Sequence, residues 1–274
     1  MREKNLMRGL WHAILAMLLF WGIQYALVFL GMGVYFIYLI STGTSLDVAV
    51  QNMGMMENLS SLQIWITLIS TVVTVLVFWK IKWFKTETLL TKGLSLKHAV
   101  LLGILLIGMS VGVSILAEFL SLPDLVGDML QLMVTNPWGV LAVSIVGPIG
   151  EEVVFRGGAL QQLMDHGWSP VSSIVVSALL FGIAHMNPVQ IFFASILGLF
   201  LGWVYVRTKS LIPCIGLHIL NNLTSVILSY LSDDPTASSV EQFGMAGAIF
   251  IMLAGILIAG GLFWYMYPRL KEMY

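Results

Sequence analysis

Long blocks of apolar residues run through this chain and leave few polar residues between them. Apolar and polar residues do not alternate inside the blocks, so a membrane β-barrel is excluded and helices are the expected spanning elements. The composition agrees, because 58% of the residues are apolar and only 10% are charged, against about 25% charged in soluble domains. Such a chain cannot cover its own surface with polar groups, so lipid must be its solvent over much of its length.

The blocks predict an all-α, polytopic membrane helix bundle of about eight transmembrane helices that forms a single membrane domain over residues 1–274. A helix needs about 20 residues to cross the hydrocarbon core, so the first block is long and the fifth and sixth are short. The predicted spans are Leu10–Ile40, Leu62–Trp79, Ala99–Leu120, Trp138–Met164, Pro170–Ala184, Val189–Val206, Leu211–Leu231 and Ala246–Tyr267.

Basic residues mark one side of the predicted bundle. Cytoplasmic loops are enriched in Lys and Arg, and eight helices place twelve of the thirteen basic residues on one side, with only acids in the opposite loops. Both termini are therefore predicted to be cytoplasmic, in a cell membrane whose expected setting is the prokaryotic inner membrane. The twelve residues are Arg2, Lys4, Arg8, Lys80, Lys82, Lys85, Lys92, Lys97, Arg207, Lys209, Arg269 and Lys271.

Net charge and cysteine content exclude two further classes of protein. The net charge of −1 offers no basic excess to neutralise phosphates, so nucleic acid is not an expected partner. The single cysteine, Cys214, excludes an internal disulfide and a cysteine-rich metal cluster.

The thirteenth basic residue, Arg156, lies inside the fourth predicted span beside two adjacent acids. A charge at mid-span costs at least about 2.5–3.5 kcal/mol, so ionisable residues there are usually paired or functional. Glu152 and Arg156 are one helical turn apart and can pair, whereas Glu151 points about 100° away and is left free for general base work. Pro148 lacks an N–H and is expected to free a carbonyl one turn earlier. A cluster that only braces helices is the alternative.

Two more spans carry polar side chains at helical spacing. Phe181 and His185 share a face of the fifth span, whose shortness predicts that His185 lies at the depth of Glu151. His218 and Asn222 share a face of the seventh span and can project towards one point. Each pair alone is explained by an interfacial histidine or by interhelical hydrogen bonds. Two imidazoles, a free carboxylate and an amide on three helices exceed what packing requires.

In order along the chain, these motifs resemble those of the CPBP family, which comprises intramembrane CAAX prenyl endopeptidases and bacterial bacteriocin-processing and immunity-associated proteins, also called the Abi family. The resemblance covers residues 137–231, the expected catalytic core, and no key position departs from the pattern. The matching motifs are Glu151-Glu152-x-x-x-Arg156, Phe181-x-x-x-His185 and His218-x-x-x-Asn222.

The resemblance implies an intramembrane endopeptidase that hydrolyses a peptide bond in a membrane-associated protein or peptide, with the lipid bilayer as its other partner. We expect no cofactor, with zinc as the alternative. By this resemblance, Glu151 and His185 would activate water. His218 and Asn222 would stabilise the oxyanion. The residues that would support the site are Glu152, Arg156 and Phe181.

A zinc mechanism is one competing interpretation, since Glu151, His185 and His218 match the ligand set of a catalytic zinc with an open position. We expect metal-free water activation, because an HExxH helix is absent and the metal-free roles use every group. A thiol mechanism through Cys214, one turn before His218, is disfavoured, because residues stacked along one helix control attack geometry poorly.

Two further interpretations assign the same polar residues no catalytic role. A non-catalytic bacteriocin-immunity or membrane interaction protein would use them to bind a peptide or receptor in the membrane. An ion-coupled transporter would use them as an ion path, but the inverted repeats typical of transporters are not visible in this sequence.

Overall fold

The computed structural model describes residues 2–89, 94–232, 234 and 237–272. One residue of the predicted basic side, Lys92, lies outside these ranges. The described parts contain helices joined by short connections, without strands. Their helices are α1 (Arg2–Ser41), α2 (Leu46–Met53), α3 (Met56–Lys80), α4 (Leu96–Phe119), α5 (Gly127–Val134), α6 (Pro137–Asp165), α7 (Pro170–Ala184), α8 (Pro188–Thr208), α9 (Leu211–Leu231) and α10 (Ser239–Glu272).

Seven helices of the described ranges are long and apolar enough to cross a membrane, namely α1, α3, α4, α6, α8, α9 and α10. The remaining predicted span is α7, which is apolar but has only 15 residues. At about 1.5 Å per residue it extends about 22 Å, short of a hydrocarbon core of about 30 Å. The prediction of an all-α, multi-pass membrane bundle is confirmed, and α7 is a span too short to cross alone.

Local capping signals set the starts of the helices that carry the three motifs. Asn136 and Ser169 cap α6 and α7 with their side-chain oxygens, and each is followed by a proline at the first helical position. Proline suits that position because its missing N–H would be unpaired there anyway. Ser210 caps α9 in the same way, by accepting from the N–H of Ile212. The start of each of these helices is therefore fixed by the local sequence.

Helix α6 lies at the centre of the bundle and α10 at its edge. Half of the apolar window of α6 is buried inside the protein, against 17% for α10. The segment 153–160 of α6 is buried throughout, and it packs against α1, α3, α7 and α9. The two acids and Arg156 thus sit on a helix that is as enclosed as any other span of the described ranges.

Connections rich in basic residues share one end of the bundle. Trp168, just beyond α6, donates its indole N–H to Leu6 O near the amino terminus at 2.8 Å. Lys85, in the connection after α3, lies 3.8 Å from Asp165 at the end of α6. This common end agrees with the predicted distribution of charge, while the orientation of the bundle in the membrane stays a prediction.

Candidate active site

Helix α6 departs from regular α-helical geometry on both sides of the acidic pair. Ala142–Val146 and Val153–Leu160 are π-helical, and the intervening Gly147–Glu152 is α-helical. Wide π turns of this kind are frequent at functional sites. Pro148 lies at the junction, where its missing N–H interrupts the hydrogen-bond ladder. The acids therefore project from a short regular turn held between two widened ones.

The carbonyl left free at this junction belongs to Val143. The N–H of Gly147 donates to Ala142 O, five residues back, and so bypasses Val143. The next residue, Pro148, has no proton to donate. Asn222 of α9 occupies the vacancy, because its Nδ2 donates to Val143 O at 2.9 Å. The carbonyl that this irregular turn of α6 leaves free thus binds Asn222, the last residue of the third motif.

Glu152 and Arg156 form a fully buried ion pair, as their spacing predicts. Arg156 Nη1 lies 2.9 Å from Glu152 Oε1, and the two side chains are 1% and 0% exposed. A second guanidinium nitrogen donates to Gly198 O of α8 at 3.4 Å. The guanidinium also lies over the ring of Phe181, 4.5 Å from its centroid. Arg156 therefore connects α6 to α7 and α8 while it neutralises Glu152.

His218 lies between the two acids. Its Nδ1 is 2.9 Å from Glu152 Oε1, and its Nε2 is 3.7 Å from Glu151 Oε2. Since Glu152 is paired with an arginine, which is always charged, its oxygen is an acceptor and His218 Nδ1 donates to it. The three side chains differ in burial: Glu152 is fully buried and His218 is 3% exposed, whereas Glu151 is 23% exposed. Glu151 is thus the acid that remains accessible.

His185 caps α7 and is oriented by its own helix. Its Nδ1 is 2.9 Å from Phe181 O, and a carbonyl can only accept, so Nδ1 carries the hydrogen. In the neutral ring, Nε2 is then free to accept. The Phe181 ring lies edge-on to both histidines, with centroids 5.0 Å from His185 and 5.7 Å from His218. His185 consequently faces the same aromatic ring as the rest of the site.

Glu151 and His185, which are predicted to activate water together, do not contact each other directly. Among the described residues, no hydrogen bond or ion pair joins these two side chains, and the imidazole at ion-pair distance from Glu151 is that of His218. The reason is that α7 ends at His185, whose ring turns back onto the Phe181 carbonyl. The contact between His218 and Glu152 was not predicted, because it depends on how α9 packs against α6.

The turn that carries His185 is held by residues that the sequence motifs do not include. Trp21 of α1 donates to Ala184 O at 3.0 Å. Asn187 is fully buried, and its amide donates to Asp124 Oδ1 at 2.9 Å while accepting from the next backbone N–H of that loop. A buried amide with both ends bonded rigidifies its surroundings. The turn is therefore packed on protein and not left to the lipid.

The proposed zinc ligands do not converge. Over the ranges that the structure covers, no three His, Cys, Asp or Glu side chains are grouped so that they could hold a metal ion. As the structure describes them, Glu151, His185 and His218 do not come together as the three ligands of a zinc site.

Cys214 contacts backbone carbonyls through its thiol. It is fully buried, and its Sγ lies 3.5 Å from Leu201 O and 3.6 Å from Ser210 O. Both contacts involve backbone carbonyls at the start of α9 and within α8. The thiol thus fills the interface of these helices, as expected for a small buried residue.

Comparison with known proteins shows which family this segment of the chain is similar to. Residues 133–224 match the family model described as type II CAAX prenyl endopeptidase Rce1-like. The matched segment contains all three motifs, the helices α7 and α8, and all of α6, and it ends within α9. Over this segment the chain is similar to CAAX-type intramembrane proteases. The match overlaps the predicted catalytic core, residues 137–231, as far as residue 224.

Two bacterial relatives match this chain over similar stretches. The "Putative membrane peptidase YdiL" of Bacillus subtilis (strain 168) is 28% identical over 116 residues, 41% of this chain and 45% of that protein. The "Membrane-embedded CAAX protease MroQ" of Staphylococcus aureus (strain USA300) is 33% identical over 122 residues, 42% of this chain and 49% of that protein. The chain thus matches about half the length of these curated relatives. No solved structure matches it significantly.

The cellular setting follows from the helices and the relatives together. Seven described helices can cross a membrane, and both relatives are bacterial membrane proteins by name. The chain is a multi-pass protein of a prokaryotic cell membrane.

Proposed function

We propose that this protein is an intramembrane endopeptidase that hydrolyses a peptide bond of a membrane-associated protein or peptide by metal-free activation of water. The proposal rests on the line of side chains from Glu151 through His218 to Glu152. A partly exposed carboxylate lies 3.7 Å from an imidazole, and the other nitrogen of that imidazole bonds a buried, arginine-paired carboxylate. Such a line supplies an accessible base next to an oriented ring.

Glu151 is the proposed general base. Glu152 cannot serve, because it is fully buried and its Oε1 already accepts from Arg156 and His218. Glu151 would take a proton from water as the water oxygen attacks the peptide carbonyl, and would return that proton to the leaving amine when the C–N bond breaks. His185 is proposed as the second contact of the water, through its free Nε2.

His218 and Asn222 are the proposed donors to the oxyanion. Asn222 has two amide hydrogens, of which one is donated to Val143 O, so the second remains for a substrate oxygen. His218 Nδ1 donates to Glu152, so its Nε2 can donate only when the ring is protonated. Donors fixed before the reaction stabilise developing charge most effectively, and the loss of one typically costs about 10²–10³-fold in kcat.

A comparison of cells tests the proposed activity and identifies the substrate in the same experiment. Membranes and medium of cells that express the wild-type protein or Glu151→Gln would be compared by peptide mass spectrometry, with protein amount matched. We expect a membrane-associated precursor to accumulate in the variant and its cleavage products to disappear. A wild-type peptide pattern and a wild-type phenotype in Glu151→Gln cells would instead identify an immunity or interaction protein.

A matched control separates loss of catalysis from a general effect of removing an acid. Glu57 lies in the first turn of α3, exposed and apart from the site, so Glu57→Gln removes the same charge elsewhere. We expect this variant to keep the wild-type peptide pattern. An equal effect of both variants would contradict the role given to Glu151.

A further inference from the structure

Asn222 belongs to a chain of hydrogen-bonded polar groups that connects three helices. Ser110 Oγ of α4 donates to Asn221 Oδ1 at 2.7 Å. Asn221 Nδ2 donates to Asn222 Oδ1 at 3.0 Å, and Asn222 Nδ2 donates to Val143 O of α6 at 2.9 Å. Hydroxyl, amide, amide and carbonyl are thereby joined end to end.

The Val143 carbonyl sets the direction of every bond in this chain. A carbonyl can only accept, so the NH₂ group of Asn222 must face it and the Asn222 oxygen must point away. That oxygen requires a donor, which Asn221 supplies with its NH₂ group. The Asn221 oxygen then faces α4 and requires a donor in turn, which is the Ser110 hydroxyl. Each amide has one orientation that satisfies all partners.

The position of the chain makes a reversed amide costly. Asn221 is 6% exposed, and all three side chains lie within membrane-spanning helices. An unpaired polar group in such surroundings loses a hydrogen bond that no solvent replaces. Adjacent residues of a helix point about 100° apart, so Asn221 can face α4 while Asn222 faces α6. Neither Asn221 nor Asn222 alone could contact both α4 and α6.

We propose that Ser110 and Asn221 are positioning residues that hold the Asn222 amide with its NH₂ group towards the substrate. This inference rests on the proposed function, in which Asn222 donates to the oxyanion. If the amide turned over, its carbonyl oxygen would face the developing negative charge and oppose it. Ser110 and Asn221 prevent that reversal without touching the substrate.

The test measures kcat and KM for the peptide identified by the Glu151→Gln comparison, with purified protein in detergent. Asn221→Leu removes both the donor to Asn222 and the acceptor of Ser110. We expect kcat to fall between about 10-fold and 100-fold, below the loss expected for removal of a donor itself, with KM changed less than about twofold. Ser110→Ala should lower kcat less, and Ser110→Thr, which keeps the hydroxyl, should restore it.

A double variant shows whether the effect passes through Asn222. In the Asn222→Ala background the positioning groups have nothing left to position, so Asn221→Leu should lower kcat no further. Thr224→Val is the matched control, because among the described residues the Thr224 hydroxyl bonds only the Leu220 carbonyl of its own helix. We expect the control to keep wild-type kcat.

The possible failures are distinguishable. If the wild-type protein cleaves its peptide and Asn221→Leu does so at the wild-type kcat, the positioning inference is overturned and the proposed function stands. If Asn221→Leu lowers kcat by the same factor with and without Asn222, the inference is likewise overturned. If the wild-type protein cleaves no peptide, both fall. Thermal unfolding of each variant shows whether a lower kcat results only from loss of the fold. If Ser110→Thr also loses kcat in this way, the result would count against the inference.

Discussion

At the scale of single residues, the two adjacent acids have opposite environments and therefore opposite uses. Glu152 is fully buried, accepts from Arg156 and His218, and cannot meet water. Glu151 is 23% exposed and faces the second nitrogen of the same imidazole. Because the two acids are adjacent residues of one helix, they point in different directions, so Glu152 is structural and Glu151 is accessible. The sequence predicts this division, because only Glu152 is spaced to pair with Arg156.

Removal of Arg156 should destabilise the fold strongly. In Arg156→Met, Glu152 is left buried without its cation, which we expect to cost about 3–5 kcal/mol. Thermal unfolding in detergent measures the loss. The double variant Glu152→Gln with Arg156→Met removes both charges and should recover much of the stability. A single variant that unfolds at the wild-type temperature would show that the pair contributes nothing to the fold.

At the scale of helices, the irregular turn of α6 and the third motif of α9 depend on each other. The Val143 carbonyl is free because Gly147 donates to Ala142 O and Pro148 has no N–H to donate. Asn222 uses that carbonyl as its acceptor. A proline that weakens one helix thereby orients a side chain of another.

Pro148→Ala should lower activity without lowering stability. The alanine N–H can pair with a carbonyl one turn back and regularise α6, which would draw the backbone away from Asn222. We expect slower peptide cleavage together with an unchanged or higher unfolding temperature. Pro137→Ala is the control, since Pro137 stands at the first position of α6, where an N–H is unpaired anyway. Equal cleavage by the two variants would contradict this role of Pro148.

The sequence predicts what depends on spacing along one helix and fails where two helices meet. The pair Glu152 and Arg156 and the shared face of His218 and Asn222 follow from the 3.6-residue turn. The bond from His218 to Glu152 and the chain from Ser110 to Asn222 depend on the packing of α4, α6 and α9. Periodicity says which face a residue occupies, but not which neighbour that face meets.

Glu118 illustrates the same limit at an ordinary position. Its place near the end of a predicted span suggests no more than a solvated acid. In the structure its carboxylate accepts from the backbone N–H and the hydroxyl of Ser239, at 2.8 and 3.0 Å, and so caps the start of α10. The two residues are 121 positions apart in the chain, which no local pattern can reveal.

At the scale of the whole molecule, the distribution of basic residues predicts how the bundle lies in the membrane. In a Cys214→Ala background, Glu57→Cys places a thiol on the predicted outer side and Lys85→Cys places one on the predicted cytoplasmic side. Lys85 is 59% exposed, so its side is accessible to reagent. A membrane-impermeant maleimide should label Glu57→Cys in intact cells and Lys85→Cys only after lysis. The reverse pattern would invert the topology.

Metal removal tests the proposed metal-free chemistry. Because the described His, Cys, Asp and Glu side chains form no three-ligand group, we expect peptide cleavage to persist after prolonged incubation with a strong zinc chelator. A zinc protease assayed in parallel verifies that the chelator acts. Loss of cleavage that added zinc restores would show that Glu151, His185 and His218 bind a metal in the working enzyme.

Cleavage by the purified protein shows whether Glu151 is needed for peptide-bond hydrolysis. Wild type, Glu57→Gln and Glu151→Gln would be reconstituted in equal amounts into lipid vesicles with the peptide identified in cells, and the rate of peptide-bond hydrolysis would be followed. We predict equal rates for wild type and Glu57→Gln and a rate at least about 10²-fold lower for Glu151→Gln at the same unfolding temperature. Hydrolysis by Glu151→Gln at the wild-type rate would contradict the account.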